Sequence, residues 1–221
     1  MIGTAVLLVA ATALAADQPW EAAVEKAWNA RDLVAAKVET RTEIFDGDGR
    51  KLEVVEEVAH LDGWSGDEPL IGKERKRTVF RKSGMRFEMS LSANANPLVA
   101  AHDGRVSISR RREENSAGCR CVIYSFEERP ADSKGQVAVG EVWIDSALGA
   151  AVKVVYRFRE MPANVSSYVM TLGYTTSAGQ WAPATVHMEA AGGFLFFHRM
   201  LKVDKTFSGW TRKADNQTAR R

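Results

Sequence analysis

A mainly β chain, one curved antiparallel sheet with a helix laid over its concave side, is what this sequence predicts. Three observations carry the prediction. Side chains sort at period two in many short runs, "AVKVVYRF" at 151 to 158 being one, and turn residues separate the runs. One segment near the start, "WEAAVEKAWNARDLVAAKVETR", has helical spacing and strong helix formers instead. Many consecutive strands with one greasy face cannot stay flat and open, so the sheet must curl and something must cover it.

The helix is expected from about Pro19 to about Val38, with Trp20, Val24, Ala27, Trp28 and Leu33 as the stripe to be buried. Beyond it, "TEIFDGDGRKLEVV" reads as a hairpin, because Asp46-Gly47-Asp48-Gly49 tolerates the positive φ of a tight turn. Met85, Phe87, Met89 and Leu91 alternate with Arg86, Glu88, Ser90 and Ser92, and Val106 and Ile108 alternate with serines. Val122, Tyr124 and Phe126 share one side of the next run, then Val152, Val154, Tyr156 and Phe158, then Tyr168, Met170, Leu172 and Tyr174, then Val186 and Met188. "GGFLFFHRMLKV", 192 to 203, is apolar on both faces over part of its length and is expected to be a central strand.

Residues 2 to 15 carry no charge and end in Ala13-Leu14-Ala15, a small-x-small pattern, so residues 1–15 are expected to be an export signal. The run is too short to span a bilayer. Residues 16–210 are then one domain, and 211–221, "TRKADNQTARR", a polar tail expected to be disordered. Export to the periplasm as a soluble chain follows from this reading. The 30 Lys and Arg and 28 Asp and Glu give a net charge of +2, too balanced for a polyanionic partner such as nucleic acid. Basic "GKERKRTVFRK" and "RRR" and acidic "EVVEEV" read as solvated faces of neighbouring strands with opposite charges paired across the sheet, the alternative being a basic patch for anionic lipid headgroups.

The sequence offers little to catalysis. His60, His102, His187 and His198 share no ligand spacing. Ser65 sits in Gly63-Trp64-Ser65-Gly66-Asp67, which lacks the final glycine of a nucleophile elbow and the strand-to-helix setting. No metal, no cofactor and no enzyme activity is expected. Cys119 and Cys121, a Cys-x-Cys on one strand, project from the face opposite Val122, Tyr124 and Phe126. Their Cα atoms would be about 6.6 Å apart, the upper edge of disulfide geometry, so a strained disulfide is open to them in an oxidising compartment.

"GEVWIDSALGAAVKVVYRF" and "TLGYTTSAGQWAPATVHMEAAGGFLFFHRMLKVDKTFSGW" resemble the bacterial outer-membrane lipoprotein-sorting and periplasmic lipoprotein-carrier proteins related to LolA and LolB. The resemblance implies an open half-barrel with helices lining the concave side of the sheet and a hydrophobic cavity for acyl chains. On that basis the candidate ligand-binding residues are Met85, Phe87, Met89, Leu91, Tyr124, Phe126, Val154, Tyr156, Phe158, Tyr168, Met170, Leu172 and Met188. The unbranched thioethers suit irregular apolar guests, although Met and aromatic side chains at strand spacing are equally what a packed core uses. The expected function is non-catalytic carriage of a lipid or the acyl chain of a lipoprotein or glycolipid, with a membrane protein as a further partner. The alternative is an envelope interaction or stress-sensing protein that docks a membrane partner through charged outer faces, Arg110, Arg111 and Arg112 among them.

Overall fold

The computed structural model describes residues 18–66, 68–81, 96–116, 118–129, 136–177, 179–194 and 197–212. Helix α1 (Gln18–Asn29) is followed by strands β1 (Val34–Asp46), β2 (Lys51–Ser65) and β3 (Glu68–Val79). A short helix α2 (Pro97–His102) leads into β4 (Val106–Ser116), β5 (Cys119–Glu128), β6 (Ala138–Asp145) and β7 (Ala150–Phe158). Strands β8 (Val165–Ser177), β9 (Gln180–Phe194) and β10 (Phe197–Thr211) complete it.

All ten strands form one antiparallel sheet in the order β3-β2-β1-β10-β9-β8-β7-β6-β5-β4. Each strand pairs with its chain neighbours except β3 with β4. The first and last strands, β1 and β10, meet in mid-sheet from Val34↔Thr211 to Asp46↔Arg199. Among the described residues, strands β3 and β4 are the two edges, so the curved sheet is an open half-barrel.

The helix ends earlier than its composition suggests. It stops at Asn29, the chain turns through Ala30–Asp32, and Val34–Val38 enter β1 opposite β10. Ala-rich local propensity yields there to a ladder of inter-strand hydrogen bonds with β10 from Val34 on, joined by β2 from Lys37. The apolar run 192–203 is likewise not one strand. It is a hairpin, with Phe197↔Phe194 the first pair and Leu201↔Ala190 beyond it. The hairpin at 46–50 is as expected: Asp46 Oδ1 accepts from the amides of Asp48 at 3.0 Å and Arg50 at 2.8 Å, and Gly49 takes φ +78°.

One cluster fills the concave side. Trp20, Ala23 and Ala27 of α1 and Leu98 of α2 meet Val122, Tyr124 and Phe126 of β5, Val142 and Ile144 of β6, Val154 and Tyr156 of β7, and Met170, Leu172, Val186 and Met188 of β8 and β9. A β-bulge at Trp143/Ile144 changes the facing in β7: Ala151, not Val152, joins this core, and Val152 packs outside with Cys121, Ile123 and Trp143. Close packing fixes two glycines. A Cβ on Gly140 would lie 1.8 Å from the Val155 carbonyl oxygen, and one on Gly149 would lie 2.8 Å from Cβ of Ala22 in α1. The β6–β7 turn therefore admits α1 only because Gly149 has no side chain.

Candidate functional site

The expected ligand wall divides into two groups. Met85, Phe87, Met89 and Leu91 lie outside the described residues. The others are brought together on the concave face: Tyr124, Phe126, Val154, Tyr156, Met170, Leu172 and Met188 are at most 5% exposed, and Phe158 and Tyr168 are half-buried at the end of the same face. Phe158 and Tyr168 are 4.6 Å apart between ring centroids, and Phe126 meets Tyr156 edge-on at 5.2 Å. These side chains are covered by the molecule's own helices. Trp20 is 5.5 Å from Tyr124 between centroids, and α1 rests on β6, β7 and β9 while α2 rests on β4 and β5. A ligand reaches the wall only where the cover parts from the sheet.

The cover is built in two pieces. Helix α2 starts on Asn96, whose side chain accepts from the Leu98 amide at 3.1 Å, with Pro97 supplying the first turn. Between α1 and α2 lies an open groove of about 370 Å³ lined by Trp20, Val24, Trp28, Ala101 and His102, with Glu21 and Glu25 at its rim. The Trp28 ring stacks on His102 at 3.6 Å, and the Arg31 guanidinium lies 4.0 Å from its centroid. The seam between the helices is thus aromatic and shallow, and its floor, Trp20, is the side chain that touches the inner wall.

Among the described residues, polar groups under the cover are few. The Tyr156 hydroxyl donates to Glu128 Oε2 at 2.9 Å, and Arg105 approaches the other oxygen of Glu128 at 3.4 Å. Burial and the adjacent carboxylate push the Tyr156 phenol well above its usual range. The Tyr174 hydroxyl is buried with no hydrogen-bond partner among the described residues, and burial raises its pKa as well.

The sheet continues past the cover. Strands β1, β2 and β3 carry a concave face on which neither helix packs to a comparable extent. Its rows follow from the register. Val186, Lys205, Thr40, Glu57 and Arg75 are opposite one another across β9, β10, β1, β2 and β3, and Met188, Val203, Thr42, Val55 and Arg77 form the next row. The apolar wall thus turns charged within one strand of Val186. Arg77 donates to both Glu53 oxygens, at 2.6 and 2.8 Å, and these bonds hold the Glu53 carboxyl below its usual range. Lys73 lies 3.9 Å from Glu57. The acidic and basic runs of β2 and β3 therefore pair across the sheet, as their sequence implies. Arg75 belongs to the basic run 72–82, but Lys205 was not marked by the sequence, since on a strand a lone cation looks the same whether it faces water or a hollow.

The convex face carries ion pairs. Arg41 joins Glu43 and Glu56, Lys202 meets Glu189 at 2.7 Å, and His187 meets Asp204 at 2.6 Å. Arg112 pairs with Glu114 and Glu141 here, whereas Arg110, expected on the outer face, stands opposite Tyr124 and pairs with Glu113, opposite Val122, on the concave side, because a bulge between Arg110 and Arg112 shifts the facing of β4. Across β4 to β7 an open groove of about 630 Å³ is lined by Ser107, Ser109, Arg111, Ser125, Arg157 and Trp143, among others. Cys119 and Cys121 also lie on this side, with their Sγ atoms 3.0 Å apart and unbonded. Burial and the neighbouring thiol push Cys121 up to about 12. Among the described residues no group of three or more His, Cys, Asp or Glu is placed to hold a metal ion, and no helix is long and apolar enough to cross a membrane.

Solved structures that include LolA superfamily and lipoprotein-sorting proteins are similar to the chain. A LolA superfamily protein from Nitrosomonas europaea has 14% identity and a TM-score of 0.37 over 88% of this chain and 94% of that one. A domain described as an outer membrane lipoprotein-sorting protein from Vibrio parahaemolyticus has 14% identity and a TM-score of 0.38 over 87% and 92%. A DUF1329 family protein from Desulfovibrio piger has 15% identity and a TM-score of 0.40 over 85% and 90%. At such identities the likeness concerns fold alone. No family model matches the chain, and no curated protein matches it.

Proposed function

We propose that this protein is a non-catalytic carrier of the bacterial periplasm that shelters an acyl chain, from a lipid, lipoprotein or glycolipid, between its helical cover and the concave wall. The observation that carries the reading is the pairing of a continuous apolar wall on β5–β9 with a cover made of two short helices rather than of the sheet itself. The cover meets the wall through Trp20 and parts along an aromatic groove. Met170 and Met188 give that wall the unbranched side chains that repack around an irregular guest. The hydroxyl of Tyr174, without a partner among the described residues, would find an acceptor in a guest carrying an ester or acid oxygen.

Native mass spectrometry on protein taken from the periplasm of the expressing cell tests this, together with uptake of a fluorescent fatty acid by the delipidated chain. Co-purifying acyl species and saturable uptake are expected. Protein that is always empty and takes up no fatty acid overturns the reading.

A second reading, docking of a membrane protein partner, is favoured by one feature, the convex groove with Arg111 and Arg157. In-cell crosslinking separates the two: a stable protein adduct at the groove supports docking, and lipid without protein supports carriage.

A further inference from the structure

The concave face is divided by chemistry, and the division indicates what kind of guest it suits. The covered half, β5 to β9, is apolar. The half beyond keeps apolar residues of the same cluster at one end, Leu201, Val203, Ile44 and Leu52, and turns charged at Lys205, Glu57, Lys73, Arg75, Glu53 and Arg77 of β10, β2 and β3. Strand β1 adds no charge to these rows, since its facing residues there are Val38, Thr40, Thr42 and Ile44. In these rows four cations therefore face two carboxylates. Glu53 is committed to Arg77 by two hydrogen bonds. Glu57 has only Lys73 among the described residues, at 3.9 Å.

Two cations are left over. Arg75 is exposed and makes no hydrogen bond or ion pair among the described residues, its charge acting only at a distance to lower the Glu53 carboxyl. Lys205 makes none among them either, although it is half-buried and stands directly beside Val186, the last apolar residue of its row. Burial lowers the pKa of Lys205, with Glu57 acting against this and Lys73 acting with it. A half-buried ammonium without a counter-ion is costly unless something supplies one. Strand spacing puts Lys205 and Arg75 about 14 Å apart across Thr40 and Glu57. Tyr174, whose hydroxyl is also unpartnered among the described residues, belongs to the apolar half on β8, two strands from β10.

We propose that the guest is an anionic amphiphile: its tail lies against the covered wall, and its negatively charged lipid headgroup rests on Lys205 and Arg75 in the uncovered half. This rests on the carrier reading above and adds the headgroup class to it. Charge complementarity selects the occupant, because an uncharged headgroup would leave both cations as they are, and a cationic one would meet like charge.

The test uses two lipids with identical tails. The delipidated full chain is incubated with an equimolar mixture of dioleoyl phosphatidylglycerol and dioleoyl phosphatidylcholine, and the bound fraction is read by native mass spectrometry. The wild type should favour the anionic lipid by about tenfold. A double variant, Lys205→Met with Arg75→Gln, should bring the ratio close to one while phosphatidylcholine uptake stays. Methionine keeps the apolar stem of Lys205 in place, and an unchanged thermal melt confirms the fold. Equal uptake of both lipids by the wild type, or a preference that survives in the double variant, overturns the headgroup assignment and leaves the carrier reading intact. Uptake of neither lipid overturns both.

Discussion

The indole of Trp20 lies 5.5 Å from the ring of Tyr124 between centroids, tilted by 53°, and joins helix α1 to the centre of the concave wall. Trp20 is 8% exposed and Tyr124 is fully buried, so the contact is dry. Truncating Trp20 removes the largest side chain of the cover and leaves Tyr124 facing a hole. The Trp20→Ala variant is expected to lose about 3–5 kcal/mol of stability in urea unfolding. If the cover is what controls access, the same variant takes up fatty acid faster than the wild type, which stopped-flow fluorescence measures.

Gly149 should prove as sensitive, through the backbone. Its φ is +54°, and a methyl group added there would come within 2.8 Å of the Ala22 side chain, which leaves an alanine no comfortable place. Gly149→Ala is expected to cost about 1–3 kcal/mol and to raise hydrogen exchange in α1 before it does so in β5.

Gly140 tests the sheet rather than the cover. A Cβ there would meet the Val155 carbonyl oxygen at 1.8 Å and the Phe126 ring at 2.7 Å, both in the middle of the sheet. Gly140→Ala is expected to destabilise the fold by about 1–3 kcal/mol, with Gly140→Val worse, as read from denaturant midpoints.

Acid should weaken the β2–β3 hairpin first. The hydrogen bonds from Arg77 hold the folded-state pKa of Glu53 below its unfolded value. Its contribution is therefore present above the ordinary glutamate range, about pH 4.3, and is lost as pH falls through the lower folded value. Glu53→Gln is expected to flatten the pH dependence of the urea midpoint below about pH 5, and to leave it unchanged near neutrality apart from a constant offset.

The two thiols should differ sharply. Cys121 is fully buried and its pKa is pushed up to about 12, whereas Cys119 is partly exposed. Iodoacetamide at neutral pH is expected to label Cys119 in the folded chain and both residues after unfolding, as peptide mapping would show. With Sγ atoms 3.0 Å apart, mild oxidation of the folded chain should instead join the pair, with loss of two hydrogens and protection from alkylation.

Much of the fold was legible because period two is a strong signal where one face is buried. Val122, Tyr124 and Phe126 and Met170 and Leu172 sit as their alternation implies. What failed, failed for physical reasons. Val34–Val38 read as helix because alanine favours one locally, while the partners that make it a strand lie more than 160 residues away at 207–211. The strand at 192–203 concealed a reversal within an unbroken apolar run, where no turn residue marks the corner. Val152 changed sides because it is itself the extra residue of a bulge in β7, between Ala151 opposite Ile144 and Lys153 opposite Trp143. Among the site residues, alternation identified the inner wall but not what lies against it. Whether Met188 touches Trp20's helix or a guest is a matter of tertiary placement, and the loose cations Lys205 and Arg75 stand out only once the neighbouring strands are laid beside them.

The β1–β10 seam sets a timetable for the chain. Strands β1–β3 form one meander and β4–β10 another, and the ladder from Val34↔Thr211 to Asp46↔Arg199 is what joins them into a single sheet. Strand β10 is therefore the clasp for β1, and closure of a loop of more than 150 residues precedes that step. Folding should be slow and end in one late, concerted event, and a chain shortened before β10 would hold two separate meanders with no common wall.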